Sequence, residues 1–276
     1  FLPYLFRQDG KDRAVGDIQQ IQICNNLSVS AAPSQLPWEG SLGVRFWGIY
    51  HTKGGSTMTD FHALIHSYQN CTCGQAHTCA IRDIEIGSGL VRSVGDILRK
   101  NGFGPRLLLA ADEQTLAAAE GIEASLAGFT VVRHIWPTIR VATMQDVEKI
   151  ESYFDRVDGV LAVGTGSVHD PCRLACARHD VPLCLFATAP SMDGFASYSA
   201  PIVNGNFKIT YPAKCPEVII GDTKILADAP AALKSAGFGD MISKYVALID
   251  WQVSNLLTGE SYCERVAALT RQAADQ

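Results

Sequence analysis

The chain has 276 residues, 47% of them hydrophobic and 18% charged, with 24 glycines, which suits one large domain or two unequal ones and excludes global disorder. A formal net charge of -5 argues against a nucleic-acid or anionic-membrane binder, since either needs a basic surface. No run approaches the ~18 uninterrupted apolar residues of a spanning helix, so no membrane insertion is expected. Nine cysteines, an odd number in a chain too long to need stapling, point to thiols in a reducing compartment, read here as the cytoplasm.

Residues 1–57 show no sustained period of 2 or 3.6 and read as an N-terminal extension, with Met58 a candidate start. The first residues, Phe1 to Arg7, carry no charged region ahead of an apolar stretch and do not read as a secretory signal. Residues 59–66 can open a short helix. Residues 84–89 read as strand and turn, and Leu90, Val91, Val94, Ile97 and Leu98 share one helical face up to Gly102. Strand 107–111, helix 115–126 and strand 130–135 follow. Thr143 then caps a helix carrying Val147, Ile150, Phe154 and Val157, before strand 160–163, helix 168–178 and strand 183–187. This alternation predicts an α/β fold with a doubly wound parallel sheet, a Rossmann-like nucleotide domain over residues 58–230. A hairpin around Asn204-Gly205-Asn206, a strand at 218–220 and a short helix at 222–227 complete it. From residue 231 to 276 the pattern is helical only, the beginning of an all-helical second domain.

Ligands of open α/β sheets bind beyond the carboxyl ends of the strands. Two loops there carry the candidate chemistry. Gly164-Thr165-Gly166-Ser167-Val168-His169-Asp170 can let a pyrophosphate approach the backbone at a helix N-terminus, or can be a plain tight turn. Thr188-Ala189-Pro190-Ser191-Met192-Asp193-Gly194-Phe195-Ala196-Ser197 offers three hydroxyls and a carboxylate, as a ligand-binding loop or a solvated one. Asp240, early in a helix, either complements the helix dipole or projects as a metal ligand. Cys71, Cys73, His77 and Cys79 lie within nine residues and form either a structural zinc site or a cluster of reduced thiols, at a spacing tighter than the usual fingers. Cys172 and Cys176 read as packing thiols on one helix.

These two loops, together with Asp222-Thr-Lys-Ile-Leu-Ala-Asp-Ala-Pro230 and Ala236-Gly-Phe-Gly-Asp240, resemble the sn-glycerol-1-phosphate dehydrogenases. That group belongs to the superfamily of iron-type alcohol dehydrogenase, glycerol dehydrogenase and 3-dehydroquinate synthase. The resemblance covers about residues 68–265, and the run from Ser191 to Ser197 matches this branch rather than glycerol dehydrogenase. It implies NAD or NADP bound by Gly166, Ser167, Val168, His169 and Asp170, by Thr188, Ala189, Pro190, Ser191 and Ser197, and at the ribose by Asp112. The family often has Asn where this chain has His169. It also implies a substrate carboxylate at Asp193, and at Asp240 a catalytic residue that faces substrate and ligates a divalent zinc or nickel. The implied reaction is reduction of dihydroxyacetone phosphate to sn-glycerol 1-phosphate for polar-lipid synthesis, with a homodimer expected of the full-length protein.

One departure from the family stands out. The family completes its metal site with two histidines downstream of the aspartate, and none of this chain's seven histidines follows Asp240. Either the chain stops partway through the helical domain, or a separate polypeptide supplies the rest, or the protein is a non-catalytic nucleotide binder. An incomplete helical domain would expose apolar surface and promote self-association. A glycerol dehydrogenase-like activity on unphosphorylated polyols is the remaining alternative.

Overall fold

The computed structural model describes residues 61–77 and 79–275; the expectations for the extension at 1–57 and for Met58 lie outside them. Six strands form one parallel sheet: β1 (Asp83–Gly87), β2 (Arg106–Asp112), β3 (Thr130–Trp136), β4 (Gly159–Gly164), β5 (Leu183–Ala187) and β8 (Val218–Asp222), in the spatial order β1-β8-β5-β4-β2-β3. β6 (Ser199–Asn204) and β7 (Phe207–Pro212) pair separately as the antiparallel hairpin around Gly205.

The inner strands β2, β4, β5 and β8 are mostly apolar because both of their faces are covered. Leu108, Ala110, Val160, Ala162 and Leu185 face one core with Cys172 and Cys176, whereas Leu107, Leu109, Leu161, Val163 and Phe186 face the other with Ile97 and Leu98. Strand geometry sends successive side chains to opposite faces, so uninterrupted runs of apolar residues satisfy both cores at once. Burial pushes the Cys172 and Cys176 thiols well above the ordinary range, as expected of packing residues.

Local signals place most of the helices. Thr143 caps α5 (Met144–Glu151) with a reciprocal capping box through Asp146. This helix ends at Glu151, so Phe154 and Val157 pack from the turns beyond it. The helix expected over 115–126 is two: α3 (Glu113–Ala118) and α4 (Ile122–Ser125). Gly121 between them has φ 92°, a left-handed conformation that breaks the helix although the apolar spacing runs through it. A 3-10 turn at Leu90–Arg92 precedes α2 (Val94–Lys100), and α6 (Gly166–His179) begins two residues before the expected start.

α7 (Thr223–Asp228), the long α8 (Ala231–Thr258) and α9 (Glu264–Ala274) follow the sheet. α1 (Phe61–Tyr68) does not join the sheet layers. Its Leu64, Ile65 and Tyr68 pack with Leu248 and Trp251 of α8 and Val266 of α9. Along α8, Ile242, Val246, Ile249, Val253 and Leu256 stand exposed, Leu256 at 81%, at the three- and four-residue steps of a packing seam. An apolar stripe of this kind drives association. In size-exclusion chromatography the chain is expected to elute earlier as concentration rises; a monomer at every concentration would contradict that expectation. No described helix is long and apolar enough to cross a membrane.

Candidate dinucleotide and substrate site

The chain leaves β2 toward β3 on one side and returns to β4 on the other, so strand order reverses between β2 and β4. The helices that follow these two strands cover opposite faces, α3 and α4 on one and α6 on the other. A crevice opens between them beyond the carboxyl ends of the strands, where open α/β sheets bind their ligands. Asp112 ends β2 and Gly164 ends β4, so both loops border it. Thr115 Oγ1 donates to the Val163 carbonyl across the crevice floor at 2.8 Å.

α6 starts directly at the turn. Thr165 occupies its N-cap without a side-chain cap, and the Val168 and His169 amides return to the Thr165 carbonyl at 3.0 and 2.8 Å. The amides of Gly166 and Ser167 precede any intrahelical acceptor and lie at the positive end of the helix dipole, which suits an anion. A Cβ on Gly166 would sit 3.1 Å from Met192 Sδ. The space over the turn therefore depends on this residue having no side chain.

The second loop is tied to the first at its base, where the Thr188 amide donates to the Gly164 carbonyl at 3.0 Å. Its far half is held by a residue that sequence reading passed over. Arg173 of α6 is 1% exposed and donates to the carbonyls of Ser199 at 3.1 Å, Gly194 at 2.8 Å and Phe195 at 3.0 Å. It also pairs with Asp170 at 3.3 Å. An arginine in a helix reads as a solvated face, and only its position three residues after Asp170 hinted at a pair.

Four of the expected cofactor contacts have side chains engaged inside the protein. The His169 ring is fully buried against Phe195, and burial lowers its pKa to about 3, with Arg173 adding to the effect. Residue 169 therefore adds no polar side chain at the crevice. Burial raises the Asp170 carboxyl to about 6 against the opposing pull of Arg173. Ser197 Oγ bonds within its own turn, donating to the Ser199 carbonyl at 3.1 Å and accepting from the Ser199 amide at 3.0 Å. Asp112 caps α3, accepting from the Thr115 amide at 2.7 Å through Oδ1. Ala189 is buried, while Ser167, Pro190 and Ser191 are partly exposed along the two loops.

α8 closes over the second loop at Gly237. A Cβ there would lie 1.9 Å from the Pro190 carbonyl oxygen, so only glycine permits this approach. One helical turn later Asp240 accepts the Asp193 amide at 3.1 Å, and the Asp193 carboxylate pairs with Lys244. Burial, then the Asp193 charge, raises the Asp240 carboxyl above its usual range. The expected substrate pair, Asp193 and Asp240, is thus brought together. Lys244 completes the group on the same face of α8, a residue legible only as the i+4 neighbour of Asp240.

A catalytic zinc normally has three protein ligands. Among the described residues, the one cluster of His, Cys, Asp and Glu arranged to hold a metal is Cys71, Cys73, His77 and Cys263, and it does not include Asp240. Cys263 takes the place expected of Cys79. The described residues therefore do not fit a divalent ion at Asp240. A separate open groove of about 870 Å³ beside β3, bordered by Glu113, Glu120, Glu123 and Arg133, contains none of the expected site residues.

Residues 85–230 match the model of the family described as iron-containing alcohol dehydrogenase. The chain belongs to that family. An NAD(P)+ glycerol-1-phosphate dehydrogenase of Halalkalibacterium halodurans is 32% identical over 212 residues, 74% of this chain and 53% of the relative. One from Methanothermobacter thermautotrophicus is 34% identical over 198 residues, covering 70% of this chain and 56% of its own length. The chain thus spans about half the length of the curated relatives it matches. Among solved structures, a probable glycerol dehydrogenase from Sinorhizobium meliloti 1021 superposes with a TM-score of 0.59 at 17% identity, over 71% of this chain and 55% of that one. That likeness shows the shared fold.

Proposed function

We propose that this chain is the dinucleotide-binding part, with the first helices of the substrate part, of an NAD(P)-dependent oxidoreductase that reduces dihydroxyacetone phosphate to sn-glycerol 1-phosphate for polar-lipid synthesis in the cytoplasm. The observation that carries the reading is the uncapped α6 N-terminus at Gly166, opening on the crevice where strand order reverses. The names of the relatives support the substrate assignment. We place the boundary between the two parts at about residue 230, with a homodimer as the full-length assembly.

Bound in the crevice, NAD(P)H supplies the hydride. The residues of this chain bind and orient. The Gly166 and Ser167 amides receive the pyrophosphate, Thr188 to Ser191 line the nucleotide, and Asp112 stands near the ribose. Asp193 and Asp240 accept substrate hydroxyls, and the Lys244 ammonium offers a counter-charge to phosphate. Asp240 alone cannot hold a catalytic metal. Zinc or nickel at Asp240 would need ligands beyond those the described residues bring to it.

The substrate assignment is tested by adding ligands to the NADH-loaded chain and following nucleotide fluorescence. Dihydroxyacetone phosphate is expected to change the signal at concentrations where dihydroxyacetone does not. An equal response to both would favour a polyol oxidoreductase. A second reading, a nucleotide binder without catalysis, is favoured by the absence of further metal ligands around Asp240 among the described residues. Dinucleotide binding without NADH oxidation, with dihydroxyacetone phosphate and added zinc or nickel, would select it for this chain.

A further inference from the structure

The cysteine cluster lies outside the crevice and has no part in the proposed reaction. Cys71, Cys73 and His77 come from the segment after α1, and Cys263 is the N-cap residue of α9, 192 residues beyond Cys71. Gly74, at φ 81°, turns the chain between Cys73 and His77 so that three ligand atoms from one short segment face the same point. The four ligand atoms all lie within 4.8 Å of one another.

Those separations match one ion of known size. Zn–S bonds of about 2.3 Å and a Zn–N bond of about 2.0 Å in a tetrahedral site put two sulfurs about 3.8 Å apart and a sulfur and a ring nitrogen about 3.5 Å apart. The Cys71 and Cys263 sulfurs are 3.6 Å apart, and Cys263 Sγ is 3.5 Å from His77 Nε2. Cys73 Sγ is 3.0 Å from the same nitrogen, about 0.5 Å inside the tetrahedral value. A disulfide would bring two sulfurs to about 2.0 Å, and a polynuclear iron–sulfur cluster would spread its ligands farther. Tyr68, Leu248, Trp251 and Val266 pack against the group, in which His77 and Cys263 are buried and Cys71 and Cys73 partly exposed. With four protein ligands the site has no open position, the mark of a structural rather than a catalytic zinc.

We propose that Cys71, Cys73, His77 and Cys263 bind a single structural zinc ion that fastens the segment after α1 to the α8–α9 pair. The proposal does not depend on dinucleotide binding. Three thiolates and a neutral imidazole leave the site with one net negative charge. Arg265, two residues after Cys263, stacks its guanidinium over the Tyr68 ring at 4.4 Å and donates to the Ser67 carbonyl at 3.0 Å, so a cation stands on the same short stretch of chain.

The test is metal analysis of the purified chain, followed by cobalt(II) replacement. One zinc per chain is expected, and cobalt should give a thiolate charge-transfer band with the intense visible bands of tetrahedral coordination. Cys263→Ser should lose the ion and Cys79→Ser should keep it. If Cys263→Ser fails to fold, His77→Cys is the second variant, expected to keep one zinc with stronger charge transfer from a fourth thiolate. A wild-type chain that binds neither zinc nor tetrahedral cobalt would overturn the proposal. So would iron in place of zinc, a Cys71–Cys263 disulfide by mass spectrometry, or loss of the ion in Cys79→Ser with retention in Cys263→Ser.

Discussion

Arg173→Met is expected to lower stability by about 3–5 kcal/mol, the cost of breaking a buried charge pair by removing one partner. The substitution leaves the Asp170 carboxylate uncompensated and takes the donor from the carbonyls of Gly194, Phe195 and Ser199. At a few degrees per kcal/mol for a chain of this size, thermal unfolding followed by circular dichroism should shift down by roughly 6–20 °C. Adding Asp170→Asn should recover part of the loss, because the stranded charge goes with its partner. The carbonyls belong to the loop that carries Asp193, so limited proteolysis should cut the variant first around residues 190–199. A loss below about 1 kcal/mol would mean that Arg173 is not the anchor of that loop.

His169→Asn should change how stability responds to acid. The histidine has a pKa of about 3 in the folded chain against an ordinary 6.5. A depressed base of this kind contributes stability that is fully present above pH 6.5 and is lost as pH falls toward 3, because only the unfolded chain takes up the proton. Each pH unit in that window is worth about 1.4 kcal/mol, so the span from 6.5 to 4 is worth about 3 kcal/mol. Asp170 next to it works the other way. Its folded pKa is about 6 against 3.8, so its stability contribution is present below pH 3.8 and is lost as pH rises through 6. Between about pH 4 and 6 the folded chain holds its proton on Asp170 and the unfolded chain on His169, and the two slopes oppose each other. His169→Asn removes one of them. The stability of the variant relative to wild type should therefore rise by about 3 kcal/mol as pH falls from 6.5 to 4, measured by urea unfolding at a series of pH values. A pH-independent difference would show that the buried ring is protonated in the fold.

The sheet was legible because burial on both faces demands what the sequence displays. Residues 107–111, 160–163 and 183–187 are apolar at every position, and each lies inside a strand of the sheet. The capped start of α5 was legible at Thr143 for a local reason, a hydroxyl three residues before a carboxylate. The break at Gly121 was not, since the apolar spacing continues through it and only the positive φ interrupts the helix. Both loops of the crevice could be found by their place after strands. That α8 would bring Asp240 onto Asp193 could be suspected only from the resemblance.

Two groups stayed hidden for different reasons. Arg173 looks like any solvated helix arginine until its burial is known. Cys79 is the nearest fourth candidate for the cysteine cluster by sequence. The fold instead brings in Cys263, 186 residues beyond His77, by packing α1 against α8 and α9. Spacing rules detect ligands on one segment and are blind to one delivered by a distant helix.

We propose a dinucleotide on the Gly164–Ser167 turn. The most direct measurement is NADH binding, by fluorescence titration or calorimetry, to the wild-type chain and to Gly166→Val. A valine Cβ meets the flexible Met192 side chain at 3.1 Å and the Asp170 carboxylate at 3.7 Å rather than backbone, so the variant should still fold, which its thermal unfolding by circular dichroism checks. The expected result is saturable binding by wild type and at least about a tenfold weaker affinity in the variant, a loss of about 1.4 kcal/mol. No binding by the folded wild-type chain, or equal binding by the folded variant, would contradict the account.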